Sequence, residues 1–168
     1  MPWLAELLFG IVLQQRVAFS DAARSWKNLV RDYGTPAPGP FGLLLAPLPG
    51  IVGKIPFATW FRSYAVDRRR AAAISDAAFV ARKIDRLFDH PEGADALLDH
   101  LHGVGPWTRG MFRGHGLGDP DAVPIGDLHL PRTVSKALTG VPHGDDDKML
   151  ELLAPFAGQR FRAIRLLP

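Results

Sequence analysis

The apolar residues of this chain recur at helical spacing and nowhere alternate with the period of two that a half-buried strand requires. In the opening segment Trp3, Leu4, Leu7, Leu8, Ile11 and Val12 share one helical face. Further on, 15 prolines and 17 glycines punctuate the sequence and keep its segments short. A second helix is predicted from about Ser20, a good N-cap, through Ala22, Trp26 and Leu29 to Gly34. The stretch TPAPGPFG reads as a stiff connection, and LLLAPLPGIVGKIP as short turns. One short and one long helix fit between Pro56 and about Phe88, the long one carrying Arg68, Arg69 and Arg70. Shorter helices are expected over about 93–101, 106–114, 131–138 and 159–167. Another opens on Asp145, Asp146 and Asp147, acids that suit the positive end of a helix dipole. The expected fold class is all-α.

A length of 168 residues is enough for one domain and hardly two, so a single domain over 1–168 is expected. Hydrophobic residues make up 47% and charged residues 22%, which rules out wholesale disorder. Cysteine is absent, and with it go disulfides, thiol catalysis, zinc–thiolate sites and cysteine-held iron–sulfur clusters. A formal charge of +3 admits an anionic partner without demanding one. No apolar run reaches the roughly 20 residues that span a bilayer. The opening segment lacks a basic start, contains Glu6 and has no small-residue cleavage site before Arg16, so it reads as an amphipathic helix. A soluble cytoplasmic protein without a membrane partner is expected, associated with the nucleoid in a bacterium.

Residues 97–132 stand above this background. Their first half, about 97–114, reads as a helix, a hairpin on Gly103-Val104-Gly105 and a second helix from Pro106. Two glycines around one apolar residue let the backbone turn tightly and expose its N–H groups. Beside a helix N-terminus such groups cradle phosphate. On the other side, the backbone carbonyls of Asp99, Leu101 and Val104 are candidates for a monovalent Na or K ion; no other cofactor is expected. By itself, a Gly-x-Gly turn is also an ordinary connection between helices.

The second half adds a loop of about 118–127 that ends in VPIGD. Asp127 there can simply be a helix N-cap. Yet this hairpin with this downstream aspartate resembles the helix-hairpin-helix-GPD superfamily of DNA base-excision glycosylases. The likeness extends along the chain. IVLQQRVAFSDAARSWKNLVRDYG is similar to the superfamily's glutamine-containing turn and Ala-rich helix, and AVDRRRAAAISDAA to the helix after it. LAPFAGQRFRAIRLL is similar to the closing helices of the 3-methyladenine DNA glycosylase II branch. The resemblance implies two helical lobes flanking a cleft and a monomer acting on double-stranded DNA that contains a damaged base. Some alkyl-base members carry an additional N-terminal α/β domain with no counterpart here, so a minimal core is expected.

The resemblance also implies roles. Asp127 carries over as the essential carboxylate, which stabilises an oxocarbenium-like sugar or helps to activate water. Trp107 stands where strand-nicking members have a Schiff-base lysine, so the implied enzyme is a monofunctional hydrolase. Its indole would stack on a flipped, cationic alkylated purine such as 3-methyladenine or 7-methylguanine. Met111, one helical turn on, would line the same base pocket, although core packing also explains it. Gln15 and Arg16 match the turn whose side chain fills the hole left by the flipped nucleotide; alkyl-base relatives have an apolar wedge where Arg16 stands. Gly103, Val104, Gly105 and Thr108 would meet the DNA backbone, with Arg109 and Arg113 as further phosphate contacts.

The remaining clusters have plainer readings. Arg68, Arg69 and Arg70 read as a solvated face, as do Arg160, Arg162 and Arg165. His100, His102, His115 and His129, with Asp119 and Asp121, lack the spacing of a metal motif. Against the enzyme stand a catalytically diverged helix-hairpin-helix protein that binds DNA or senses damage, and a module with no DNA role.

Overall fold

The computed structural model describes residues 4–167; Trp3, placed above on the first helical face, lies outside them. The chain divides at Val104–Gly105, within the hairpin turn, into two compact units. Each has its own apolar core. Among the described residues there are eleven α-helices and one two-stranded sheet.

The first unit opens with α1 (Leu4–Leu13), whose Leu8, Phe9, Ile11, Val12 and Leu13 are all buried. Helix α2 (Phe19–Tyr33) starts just before Ser20, which is exposed within its first turn and does not cap it. The start is set instead by Ala18, in extended conformation, whose carbonyl accepts from the N–H groups of Asp21 and Ala22. The Gly/Pro-rich connection holds a small antiparallel sheet, β1 (Thr35–Pro36) with β2 (Leu44–Leu45). Two residues per strand are too few to leave an alternating pattern, which is why the sequence gives no sign of it.

Helices α3 (Pro49–Val52) and α4 (Phe57–Tyr64) lead to α5 (Arg68–Phe79) and α6 (Ala81–Asp85). Asp67 caps α5 by accepting from the N–H groups of Arg69 and Arg70. Small residues at Ala71, Ala73 and Ala77, with Ile74, form the buried face that lets α1 approach α5 closely. The arginine run on α5 is not a uniformly solvated face. Arg70 is only 6% exposed and donates to Asp67 Oδ2 at 2.5 Å and to the Leu13 carbonyl at 2.9 Å. A helix at α7 (Ala94–Asp99) completes the unit, followed by the turn through Gly103.

The second unit comprises α8 (Pro106–Gly116), α9 (Leu130–Thr139), α10 (Asp146–Leu153) and α11 (Arg160–Leu166). Val134 of α9 packs with Met149 and Leu153 of α10 to form its core. Asp145 caps α10 by accepting from the Lys148 N–H at 3.0 Å, as an acid at a helix start should. Two glycines on the buried face of α8 set the distances. A Cβ at Gly110 would lie 2.6 Å from the Pro124 backbone, and one at Gly114 would lie 2.3 Å from the Phe161 ring. The loop after α8 and the helix α11 can therefore close against it only because these positions are glycine. No helix among the described residues is long and apolar enough to cross a membrane.

Candidate functional site

Pro106 occupies the first turn of α8, where its missing N–H costs nothing, and fixes the helix start directly after Gly105. One step further along, Trp107 is half-buried, and Met111 follows on the same face, also half-buried. The loop after α8 returns to this face. It is closed by Asp119, which accepts from Arg113 Nε at 2.9 Å, and by Asp121. One oxygen of Asp121 accepts from the backbone N–H of Gly158 and of Arg160 and from Arg160 Nε, at 2.8, 3.0 and 2.8 Å; the other accepts from Arg160 Nη2. The Arg160 guanidinium hydrogen-bonded to Asp121 holds its carboxyl well below the usual carboxylate range. Arg113 and Arg160 thus fasten the loop, and Arg160 is not merely part of a solvated face.

The loop delivers Asp127 to Trp107. The indole Nε1–H donates to Asp127 Oδ2 at 2.7 Å. The other oxygen, Oδ1, accepts from the backbone N–H of His129 and of Leu130 at 2.8 and 2.9 Å, so Asp127 also caps α9. The two readings of this aspartate are compatible: one oxygen caps the helix and the other faces the tryptophan. A carboxylate offers about four acceptor positions. Three are filled here, which leaves one open to a water or a developing positive charge.

Asp146 is a site residue that sequence reasoning assigned only to the helix dipole. Its Oδ2 accepts at 2.9 Å from the N–H of Gly126, the residue immediately before Asp127. Gly126 has φ +87°, a left-handed conformation that favours glycine, so the turn into Asp127 needs both a glycine and this acceptor. Oδ1 of Asp146 is buried with no hydrogen-bond partner among the described residues. A helix-opening run of aspartates gives no sign of such a role, because the bond joins residues 20 apart.

In the first unit, Gln15 Nε2–H donates to the Gly103 carbonyl at 2.8 Å, bringing the glutamine turn to the hairpin turn. Arg16 is exposed and has φ +57°, a strained backbone for a residue with a side chain. Gly103 has φ +79°, and a Cβ there would come within 3.1 Å of Ala73 Cβ, so glycine is required. Gly105 is different: it is extended, and a Cβ would meet nothing within 4 Å. Val104 is buried at 6% exposure. Thr108, on α8, is buried at 2% exposure. Among the described residues no cluster of three or more histidine or acidic side chains is arranged to hold a metal.

The fold is shared with solved DNA glycosylases. A 3-methyladenine DNA glycosylase from Archaeoglobus fulgidus superimposes with a TM-score of 0.82 at 23% identity, over 96% of this chain and 55% of that one. The 3-methyladenine DNA glycosylase of Schizosaccharomyces pombe, solved with abasic DNA, gives 0.67 at 19% identity, over 97% and 81%. In sequence, the chain is 34% identical over 140 residues to the probable bifunctional transcriptional activator/DNA repair enzyme AlkA of Mycobacterium tuberculosis. The chain therefore shares the fold of these solved DNA glycosylases and is similar in sequence to a protein described as a DNA repair enzyme. The match covers 82% of this chain but 28% of the AlkA relative's length, so the chain spans about a quarter of that protein. No family model matches the chain.

Proposed function

We propose that this chain is a monofunctional DNA N-glycosylase that hydrolyses the bond between deoxyribose and a flipped alkylated purine. The observation that carries this reading is the hydrogen bond from Trp107 to Asp127. It holds an aromatic face suited to a cationic base beside a carboxylate suited to a cationic sugar. Bond cleavage moves the bonding electrons to the base and leaves positive charge at C1′. Asp127 stabilises that charge and accepts a hydrogen bond from the attacking water at its remaining acceptor position. Alkylated purines are already cationic, so protonation by a strong general acid is not needed. Met111 lines the same helix face as Trp107 and would limit the base pocket.

Double-stranded DNA with a damaged base is the proposed partner of the chain acting as a monomer. Gly105 supports the contact: among the described residues no atom lies within 4 Å of where its Cβ would be, and a backbone phosphate approaching α8's N-terminus has use for that space. Gly103 and Val104 would offer backbone to the same strand. Arg16, on the turn tied down by Gln15, would enter the stack at the vacated position. The hairpin carbonyls of Asp99, Leu101 and Val104 are hard oxygen donors and fit a Na or K ion, although the Leu101 carbonyl already accepts from the Val104 N–H at 3.2 Å. Such an ion would hold the turn with its N–H groups outward.

One observation favours a second reading. Asp127 already caps α9, a role that a damage-sensing protein without catalysis would keep. Base release from methylated duplex DNA separates the two. Wild type should release 3-methyladenine or 7-methylguanine, and Asp127→Asn should do so on the order of a hundredfold more slowly. Tight binding of methylated duplex without release by wild type would establish the sensor.

A further inference from the structure

The first unit contains a cavity of about 280 Å³, with charged and hydroxyl side chains among its walls, that no step above uses. Its walls include Asp21, Arg24 and Asn28 on one face of α2, Arg62 and Ser63 at the end of α4, and Val17, the residue directly after Arg16. Among the described residues, Arg16 and Ala65 are the non-glycine positions with positive φ, at +57° and +53°. Both adjoin this cavity: Ala65 lines it and Arg16 precedes its Val17 wall. Backbone strain that gathers at one place points to use of that place.

Buried Arg70 holds the two strained turns together. Its Nη1 donates to the Leu13 carbonyl, ahead of the Gln15–Arg16 turn, and its Nη2 donates to the Ala65 carbonyl at 3.3 Å. Asp67 balances the charge of Arg70. The cavity mouth is then left with Arg24 and Arg62 against one carboxylate, Asp21, which orients Arg24 at 3.0 Å. Among the described residues Arg62 has no hydrogen-bond or ion-pair partner. The net local charge is one positive, next to neutral hydrogen-bonding groups on Asn28 and Ser63. Such a cavity, small for a ligand site, suits a singly charged anion.

We infer that this cavity binds a phosphate group, and that its source is a backbone phosphate of the duplex at the step Arg16 enters. The inference rests on the DNA-binding reading proposed above. The inserted side chain is on the residue next to the cavity wall, and α2 rises only about 7.5 Å from Phe19 to Arg24. A duplex held at Arg16 therefore brings its backbone within reach of the cavity.

The test is the salt dependence of binding to abasic-site duplex over roughly 50–200 mM KCl. Arg24→Ala/Arg62→Ala should bind with a log–log slope shallower by about one, as for one lost phosphate contact, and Arg62→Lys should retain most of the slope. Both arginines are exposed, so an unchanged melting temperature checks the fold. An unchanged slope in the folded double variant overturns the inference while leaving the glycosylase reading intact. Gly105→Asp is the control for that reading, since it should weaken binding through the hairpin whether or not the cavity contributes. Inorganic phosphate, compared with chloride at matched ionic strength, distinguishes the source. If it stabilises wild type but not the double variant while the DNA slope stays the same, the cavity takes free phosphate and the DNA assignment is wrong. If wild type binds no duplex at all, the inference falls together with the reading beneath it.

Discussion

Trp107 and Asp127 stand 20 residues apart in sequence and share a 2.7 Å hydrogen bond from indole to carboxylate. The bond runs between the first turn of one helix and the residue that caps another. Each side chain therefore limits the other's freedom: the ring plane is fixed by its N–H, and the carboxylate by donors on both oxygens. Fixed dipoles of this kind need little reorganisation when charge develops nearby.

Replacing the indole by a ring without the N–H isolates that contribution. Trp107→Phe keeps an aromatic face but frees Asp127 Oδ2. Its base-release rate at saturating DNA should fall about tenfold, consistent with one charge-assisted hydrogen bond. Trp107→Ala should in addition lose preference for cationic over normal bases, read as the ratio of kcat/KM on methylated and unmodified DNA.

Asp127 itself should show two separable losses. Asn retains a side-chain oxygen for the His129 and Leu130 N–H groups but turns its NH2 toward the Trp107 N–H, so Asp127→Asn should keep the cap in urea unfolding and lose only the indole bond. Asp127→Ala removes the cap as well and should be less stable by about 1 kcal/mol. Equal stability of the two variants would remove the capping role.

Asp146 should behave as a positioning residue. Without its acceptor the Gly126 peptide is free to rotate, and the aim of Asp127 goes with it. Asp146→Ala should lower the base-release rate at saturating DNA about tenfold, with affinity for abasic DNA unchanged. Asp146→Asn, which keeps an oxygen for Gly126, should restore most of the rate. A purely structural role would instead lower stability and binding together in both variants.

Gly110 tests the approach of the loop to α8. Gly110→Ala places a methyl group 2.6 Å from the Pro124 backbone, which cannot turn aside as a side chain can. Stability should fall by about 1–3 kcal/mol in urea unfolding, and base release should fall further than stability alone explains, because the displaced loop carries Asp127.

The pairing of Asp121 with Arg160 has a pH signature. The carboxyl is depressed in the folded chain, so its contribution is present in full above the unfolded value near 3.9 and is lost as pH falls through the folded value. Asp121→Asn should be less stable than wild type by a constant margin between about pH 5 and 8. That margin should shrink at more acid pH in thermal melts.

What was legible in the sequence followed from local pattern. Gly103, Pro106 and the Gly126-Asp127 pair are punctuation with few backbone solutions, so the hairpin, the start of α8 and the aspartate loop could be placed in advance. The helical spacing of the first segment likewise placed α1. Relationships set by tertiary contact were not legible. Arg70 sits within a run of three like charges, and only its burial against the Leu13 carbonyl distinguishes it from Arg68 and Arg69. Thr108 looks like a surface residue beside a turn until the packing of α8 encloses it. Asp146 looks like any acid at a helix start, because its partner is a backbone N–H on a distant loop.

The bond from Gln15 to the Gly103 carbonyl has a consequence for how such a protein would search. In a chain that binds DNA as proposed, the probing side chain and the backbone grip are joined and advance as one piece. A loosely attached finger could ride over intact pairs and test only some of them. A tied one turns every forward step into an inspection, so speed along the duplex is given up for completeness, and the tempo of the search is set by how readily each base pair yields.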